Sequence, residues 1–242
     1  MNDKSEIAAR LTSRLERAAA FRAAAKADAT IADGRQRLRA WQTVRLARSH
    51  ADLLASRRFG PAATFFLADL YSANDISARD EQVRTVVPVM TAVLPAWALE
   101  IAADAIELDA LSEDLDAAMM AALGPRIGSI DAEAYGRAYR KVDRRADRER
   151  QIQLIRHIGQ SLERLARQRI AGMTLSLMRK PAQVAGLSDL QEFLERGYAA
   201  VRRMGRADEF LDLAIGREQK LLEALFAGDD SMLEEGPEPQ AA

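Results

Sequence analysis

The chain has no cysteine and only two histidines in 242 residues. Without thiols it forms no disulfide, thiolate nucleophile, zinc finger or cysteine-ligated iron–sulfur cluster. Its 13 glycines are scattered and never closer than four positions apart, so no P-loop and no G-x-G-x-x-G turn is available to cradle phosphates. The G-x-S-x-G elbow is also missing. Neither His50 nor His157 follows a glutamate at the third position before it, which excludes the Glu-x-x-His pairs of di-iron bundles, and His-Glu-x-x-His is absent. Strand signals reduce to Val86-Val87, and both residues sit in helical periodicity. No apolar run of transmembrane length occurs, and Met1 to Glu6 has no apolar signal core, so the expectation is a cytoplasmic chain without membrane contact.

What the chain has is charge, arranged in blocks. Residues 1–60 carry 13 basic against 6 acidic side chains, 61–136 carry 3 against 13, 137–180 carry 13 against 4, and 181–242 carry 6 against 13. Arginine makes up 30 of the 35 basic residues, which favours bidentate pairing with carboxylates. Complementary blocks let basic helices lie beside acidic ones, inside one fold or across a homodimer.

Apolar residues recur at three and four positions almost throughout. Ala8, Leu11, Leu15, Ala18 and Ala25 form one stripe; Ala40, Val44, Ala47, Ala51 and Leu54 form a second, with Asp33 and Gly34 expected between the two helices. Pro61 after Gly60 opens a short helix bearing Phe65, Phe66, Leu70 and Tyr71. Ser77 with Asp80 reads as an acidic capping box. Pro95 starts a helix that Gly124 and Pro125 stop, and Asp131 caps a basic helix expected to continue, with a break near Asp147, to just before Pro181. Ser188 with Gln191 reads as a capping box, Gly205 as a C-cap, and a last helix reaches Phe226. This predicts an all-α, bundle-like single domain of about seven to nine helices over 1–228, with a subdivision possible near 124–130. Residues 229–242, acidic with Pro237 and Pro239, are expected to be a disordered tail.

The stretch Phe65-Phe66-Leu67-Ala68-Asp69-Leu70-Tyr71, followed by Asp75, Ser77, Arg79 and Asp80, then Leu94-Pro95 and Glu107 to Glu113, resembles a family of uncharacterised bacterial all-α proteins. Leu190 to Gly197 and Asp208 to Leu211 are similar to the C-terminal half of that family, so the resemblance covers most of residues 35–226. It implies a helical fold. The family has no assigned reaction, cofactor or partner to carry over.

Acidic pairs are the sharpest chemical candidates. Glu192-x-x-Glu195 followed by Glu209-x-x-Asp212 matches the spacing by which all-α nucleoside triphosphate pyrophosphatases hold Mg²⁺ between antiparallel helices. Glu-rich amphipathic helices produce the same spacing on solvated faces, and that reading is the commoner. About the Gly205 turn the two pairs are not level, since Glu195 lies roughly 15 Å before it and Glu209 roughly 6 Å after. Glu100, Asp104 and Glu107 stack on one helix face, suited either to oxygen ligation of Mg²⁺ or to pairing with arginines.

The basic run Arg137, Arg140, Lys141, Arg144, Arg145, Arg148 and Arg150, with Tyr135 and Tyr139, can follow phosphates and stack on bases, yet Asp143, Asp147 and Glu149 interrupt it and no nucleic-acid motif accompanies it. Trp41, Arg45, Asp69, Tyr71, Asp75, Arg79 and Asp80 can line a polar pocket or form a buried ion-pair network. The favoured expectation is a self-associating helical interaction or scaffold protein with no cofactor and no catalytic residue, and a protein partner. A Mg²⁺-dependent nucleotide hydrolase is the first alternative and a small-ligand-binding bundle the second.

Overall fold

The computed structural model describes residues 3–66, 87–88, 91–92 and 95–236. Among them are ten α-helices: α1 (Asp3–Ala27), α2 (Ala29–Ser49), α3 (Ala51–Ala55), α4 (Gly60–Phe65), α5 (Ala96–Leu123), α6 (Ala132–Val142), α7 (Arg145–Ala166), α8 (Arg169–Val184), α9 (Ser188–Met204) and α10 (Asp208–Ala227). No strand occurs among the described residues, so the chain is all-α. No helix among them is long and apolar enough to cross a membrane.

The organising element is α5. At 28 residues it spans about 42 Å, and its apolar side faces α1, where Ile7 and Leu11 bury against Leu99 and Ala103. Ion pairs flank that seam: Arg10 with Glu100, Arg14 with Glu107, and Arg17 with Asp114. The numbers rise together, so α1 and α5 are parallel. On another face of α5 the pairs are Asp104 with His157, Glu107 with Arg150 and Asp114 with Arg144, numbers that run oppositely, so α7 is antiparallel. The acidic helix is thereby held between two basic ones. The complementary blocks meet inside the chain.

Two larger apolar clusters complete the core. One joins α3, α4, α7, α9 and α10 through Leu53, Phe59, Ile152, Val201, Phe210 and Leu211, with Phe66 packed beside it. The other joins α2, the end of α5, α6 and the end of α10 through Leu38, Met119, Tyr135, Tyr139 and Leu225. Because α10 contributes to both, and the second cluster crosses the Gly124–Gly128 turn, the halves on either side of 124–130 share one interior. Phe65 is buried against Gly197 of α9, where an added Cβ would lie 2.7 Å from the ring. That close approach requires glycine.

Local boundaries depart from the sequence expectation at several points, each for a physical reason. The first break falls at Asp28, not at Asp33 and Gly34, because the Asp28 carboxylate accepts hydrogen bonds from the Thr30 and Ile31 amides and caps α2. Gly34 lies inside α2, in contact range of Met120 and Ile127. The basic helix breaks at Asp143, which adopts a left-handed backbone at φ 49°, and not at Asp147. Pro181 lies inside the last turn of α8 and not beyond its end. Ser188 makes no side-chain cap because it lies one position inside the helix, with Leu187 at the N-cap, and Gln191 instead donates to the Leu175 carbonyl and Glu195. The segment from 229 is not wholly a free tail: Leu233 is fully buried, Asp230 pairs with Arg140, and Arg48 donates to the Leu233 carbonyl. Ser77 and residues 237–242 lie outside the described residues.

Candidate functional site

Two regions concentrate the polar chemistry, and the first is the interior seam where α2 crosses α5. Glu113 is 2% exposed and receives Arg22, Arg35 and Arg39 at 2.8, 2.5 and 2.9 Å. Burial opposes its charge, but the hydrogen bond from Arg35 and the three guanidiniums outweigh it and hold the carboxyl below its usual range. One turn on, Asp116 takes Arg39 and Gln42, and Gln42 also reaches the Tyr135 hydroxyl. Trp41 stacks on Tyr135 at 4.2 Å.

The seam continues into α10. Glu218 accepts from Arg45 at 2.6 Å and lies 3.0 Å from His50 Nε2. Burial works against this carboxylate, while the Arg45 charge and the His50 hydrogen bond prevail and bring it to about 2. Burial pushes the Tyr139 hydroxyl up to about 12 beneath Arg148, whose guanidinium lies 4.8 Å above the ring. Gln42 Oε1, His50 Nδ1 and Arg148 Nη2 are buried with no hydrogen-bond partner among the described residues. This interior is a structural charge lock. Its carboxylates Glu113, Asp116 and Glu218 are each held by arginines.

The second region is the outer edge made by α8 and α9. Met173, Leu177, Met178 and Val184 on α8 are 64%, 75%, 47% and 90% exposed, and Leu194 on α9 is 44% exposed. Met173, Leu177 and Val184 follow a four-and-seven spacing, so they share one face and that face points to solvent. Between the two helices lies a groove of about 640 Å³, lined by Met173, Leu177, Tyr198, Arg179, Glu195 and Arg202 among others. Polar bonds hold α8 in place. Arg179 forks onto Glu195 at 2.7 and 2.8 Å, and Gln191 donates to the Leu175 carbonyl at 2.7 Å. The helices approach closely at Gly172, where an added Cβ would fall 2.6 Å from the Tyr198 hydroxyl.

The four carboxylates of the proposed Mg²⁺ set are each occupied by a different arginine. Glu192 pairs with Arg196, Glu195 with Arg179, Glu209 with Arg58 and Asp212 with Arg156. Among the described residues no three histidine, aspartate or glutamate side chains gather as a metal site. Glu100, Asp104 and Glu107 pair with Arg10, His157, and Arg14 with Arg150, the ion-paired alternative for that trio.

Five of the seven cations of the basic run are likewise paired with acids. Arg137 pairs with Glu133, Arg140 with Asp230, Arg144 with Asp114 and Asp147, and Arg145 with Glu149, while Tyr135 and Tyr139 are buried and cannot stack on bases. Of the polar-pocket set, Trp41 and Arg45 belong to the interior lock, and Asp69, Tyr71, Asp75, Arg79 and Asp80 lie outside the described residues.

Comparison with family models matches residues 21–232 to the domain of unknown function DUF8198. The chain belongs to that family. No curated protein and no solved structure matches it. Family membership therefore extends over nearly the whole helical body, including both the lock and the α8–α9 edge, and attaches no reaction to either. The α8–α9 edge escaped the sequence reading, although its signal was present: Leu165 to Leu187 contains Arg167, Arg169, Arg179 and Lys180 and no acidic residue, with apolar residues at helical spacing.

Proposed function

We propose that this family member is a helical docking protein whose charge-locked body presents the α8–α9 edge to another macromolecule. The observation that carries this reading is the exposed stripe of Met173, Leu177 and Val184. Scattered exposed apolar residues are ordinary, but a stripe on one helix face beside a groove is the form an interface takes. Fully covering one exposed side chain of this kind is worth about 1.5–3 kcal/mol, which several together set against the cost of docking. The rest of the surface supports the same reading, because its charges are largely matched in pairs.

A photo-cross-linking amino acid placed at Leu177 tests the proposal in cells that naturally make the chain. The expected result is one or a few discrete adducts, absent when the same probe replaces the exposed Gln153 of α7. Equal labelling at both positions, or none at Leu177, would remove the docking reading. An adduct of any identity, including a second copy, supports it.

A further inference from the structure

We infer that the occupant of the α8–α9 groove is an acidic amphipathic helix supplied by another protein. This rests on the docking reading above and adds the chemistry of the partner. The decisive contrast is charge balance. Along α5 nearly every carboxylate is met by an arginine of α1, α2 or α7, whereas the 23-residue stretch Leu165 to Leu187 carries no acid; of its cations Arg167 closes onto Glu163 of α7 and Arg179 onto Glu195 of α9, and Lys180 has no ion pair among the described residues. The acids nearest the groove are already engaged: Glu195 by Arg179 and Gln191, and Glu192 by Arg196. Arg202 on the groove wall, with Lys180 and Arg203, has no ion pair among the described residues.

An apolar groove with unbalanced cations at its margins fits a helix that brings apolar residues at i, i+4 and i+7 to Met173 and Leu177, and carboxylates to Arg202 and Lys180. A second copy fits less well, since α8 carries three cations and no acid to offer its twin. Among the described residues, the acidic helix α5 is not free to fill the groove. The α5 carboxylates Glu100, Glu107, Glu113 and Asp114 are held by arginines within the body.

The test uses the full-length protein and two synthetic helical peptides of the same length and leucine pattern, one with glutamate and one with lysine at every solvent position, read by fluorescence anisotropy. The glutamate peptide should bind at least about tenfold tighter than its twin at low salt, with the difference shrinking as salt rises. Leu177→Asp and Arg202→Glu should each weaken binding about tenfold or more, and Arg137→Glu on the far, paired surface should leave it unchanged. Indifference to peptide charge, or no binding, overturns the inference. A dimer in sedimentation that Leu177→Asp dissolves would name a second copy as the occupant, sinking the acidic-helix assignment and leaving the docking reading standing. Flotation with phosphatidylserine vesicles in preference to peptide binding would transfer the surface to a membrane and overturn it as well.

Discussion

The α5 seam and the α8–α9 edge are built from the same materials and put them to opposite uses. Both are amphipathic helix pairs rich in arginine. In the seam, Leu99, Ala103 and Leu115 are fully buried and the flanking arginines each close onto a carboxylate across the helix boundary. At the edge the apolar positions Met173, Leu177 and Val184 stay in water, and the helix is tied down by polar bonds such as Arg179 to Glu195. Breaking an enclosed pair such as Arg22–Glu113 strands a buried charge, whereas exposed pairs, Arg10–Glu100 and Arg179–Glu195 alike, are screened and worth little. The seam is therefore held by buried apolar contacts and the enclosed Glu113 cluster, whereas the edge leaves its apolar residues in solvent.

The comparison breaks most visibly at Glu113. Glu113→Ala would leave Arg22, Arg35 and Arg39 facing one another around a buried void, and a loss of about 3–5 kcal/mol is expected in denaturant melts. The matching deletion at the edge, Arg179→Ala, should cost far less, because that pair is exposed and screened. Comparable losses at the two sites would mean that the seam is not the lock described.

Acid probes the same lock at its other end. Glu218 sits at about 2 in the folded chain against an ordinary 4.5, so it contributes stability fully above about pH 4.5 and loses it as pH falls toward 2. That difference corresponds to about 3 kcal/mol. The stability gap between the protein and Glu218→Gln should close across that window. Parallel melting of the two at every pH would show that Glu218 titrates normally and that Arg45 and His50 do not hold its charge.

The seam was legible in outline and the edge was not. Block charge predicted that basic and acidic helices would lie side by side, and Arg10, Arg14 and Arg17 against α5 realise it inside one chain. Which arginine would meet Glu113 depended on where α1 ends, and that was set by a cap at Asp28 which the sequence pattern placed at Asp33 and Gly34. Spacing alone could not distinguish Glu192, Glu195, Glu209 and Asp212 as a ligand set from four surface acids, because three of their arginine partners, Arg58, Arg156 and Arg179, come from other parts of the chain. For α8 the periodicity was readable, but periodicity states only that a helix has an apolar face. Whether that face is covered is decided by neighbours distant in sequence.

Two glycines sharpen the contrast between a packed and a loosely held helix pair. Gly197 meets the buried Phe65 ring and Gly172 meets the half-buried Tyr198 hydroxyl at nearly equal hypothetical Cβ distances, 2.7 and 2.6 Å. Gly197→Ala should cost about 1–3 kcal/mol, since Phe65 is enclosed and cannot retreat. Gly172→Ala should come out close to neutral, because Tyr198 can move its polar end toward solvent and alanine favours the helix by about 1 kcal/mol. Equal costs in thermal melts would show that α8 is held as rigidly as the core.

The smallest effect is expected where the functional consequence is greatest. Leu177→Asp removes a side chain that is 75% exposed, so little burial is forfeited in the folded chain. Aspartate lowers helix propensity by about 0.5 kcal/mol, and its new i, i+3 relation to Lys180 returns about 0.2–0.5 kcal/mol. The net change in stability should lie within about 0.5 kcal/mol, the usual range for a surface position. The same substitution places a carboxylate in the middle of the apolar stripe, where any partner helix would have to desolvate it. A variant that folds normally and fails to dock is thus the signature expected of the edge. If Leu177→Asp instead lost more than about 2 kcal/mol in denaturant melts, the residue would be a core contact within the chain, and the division between a locked body and an open edge would fail at the one helix that defines it.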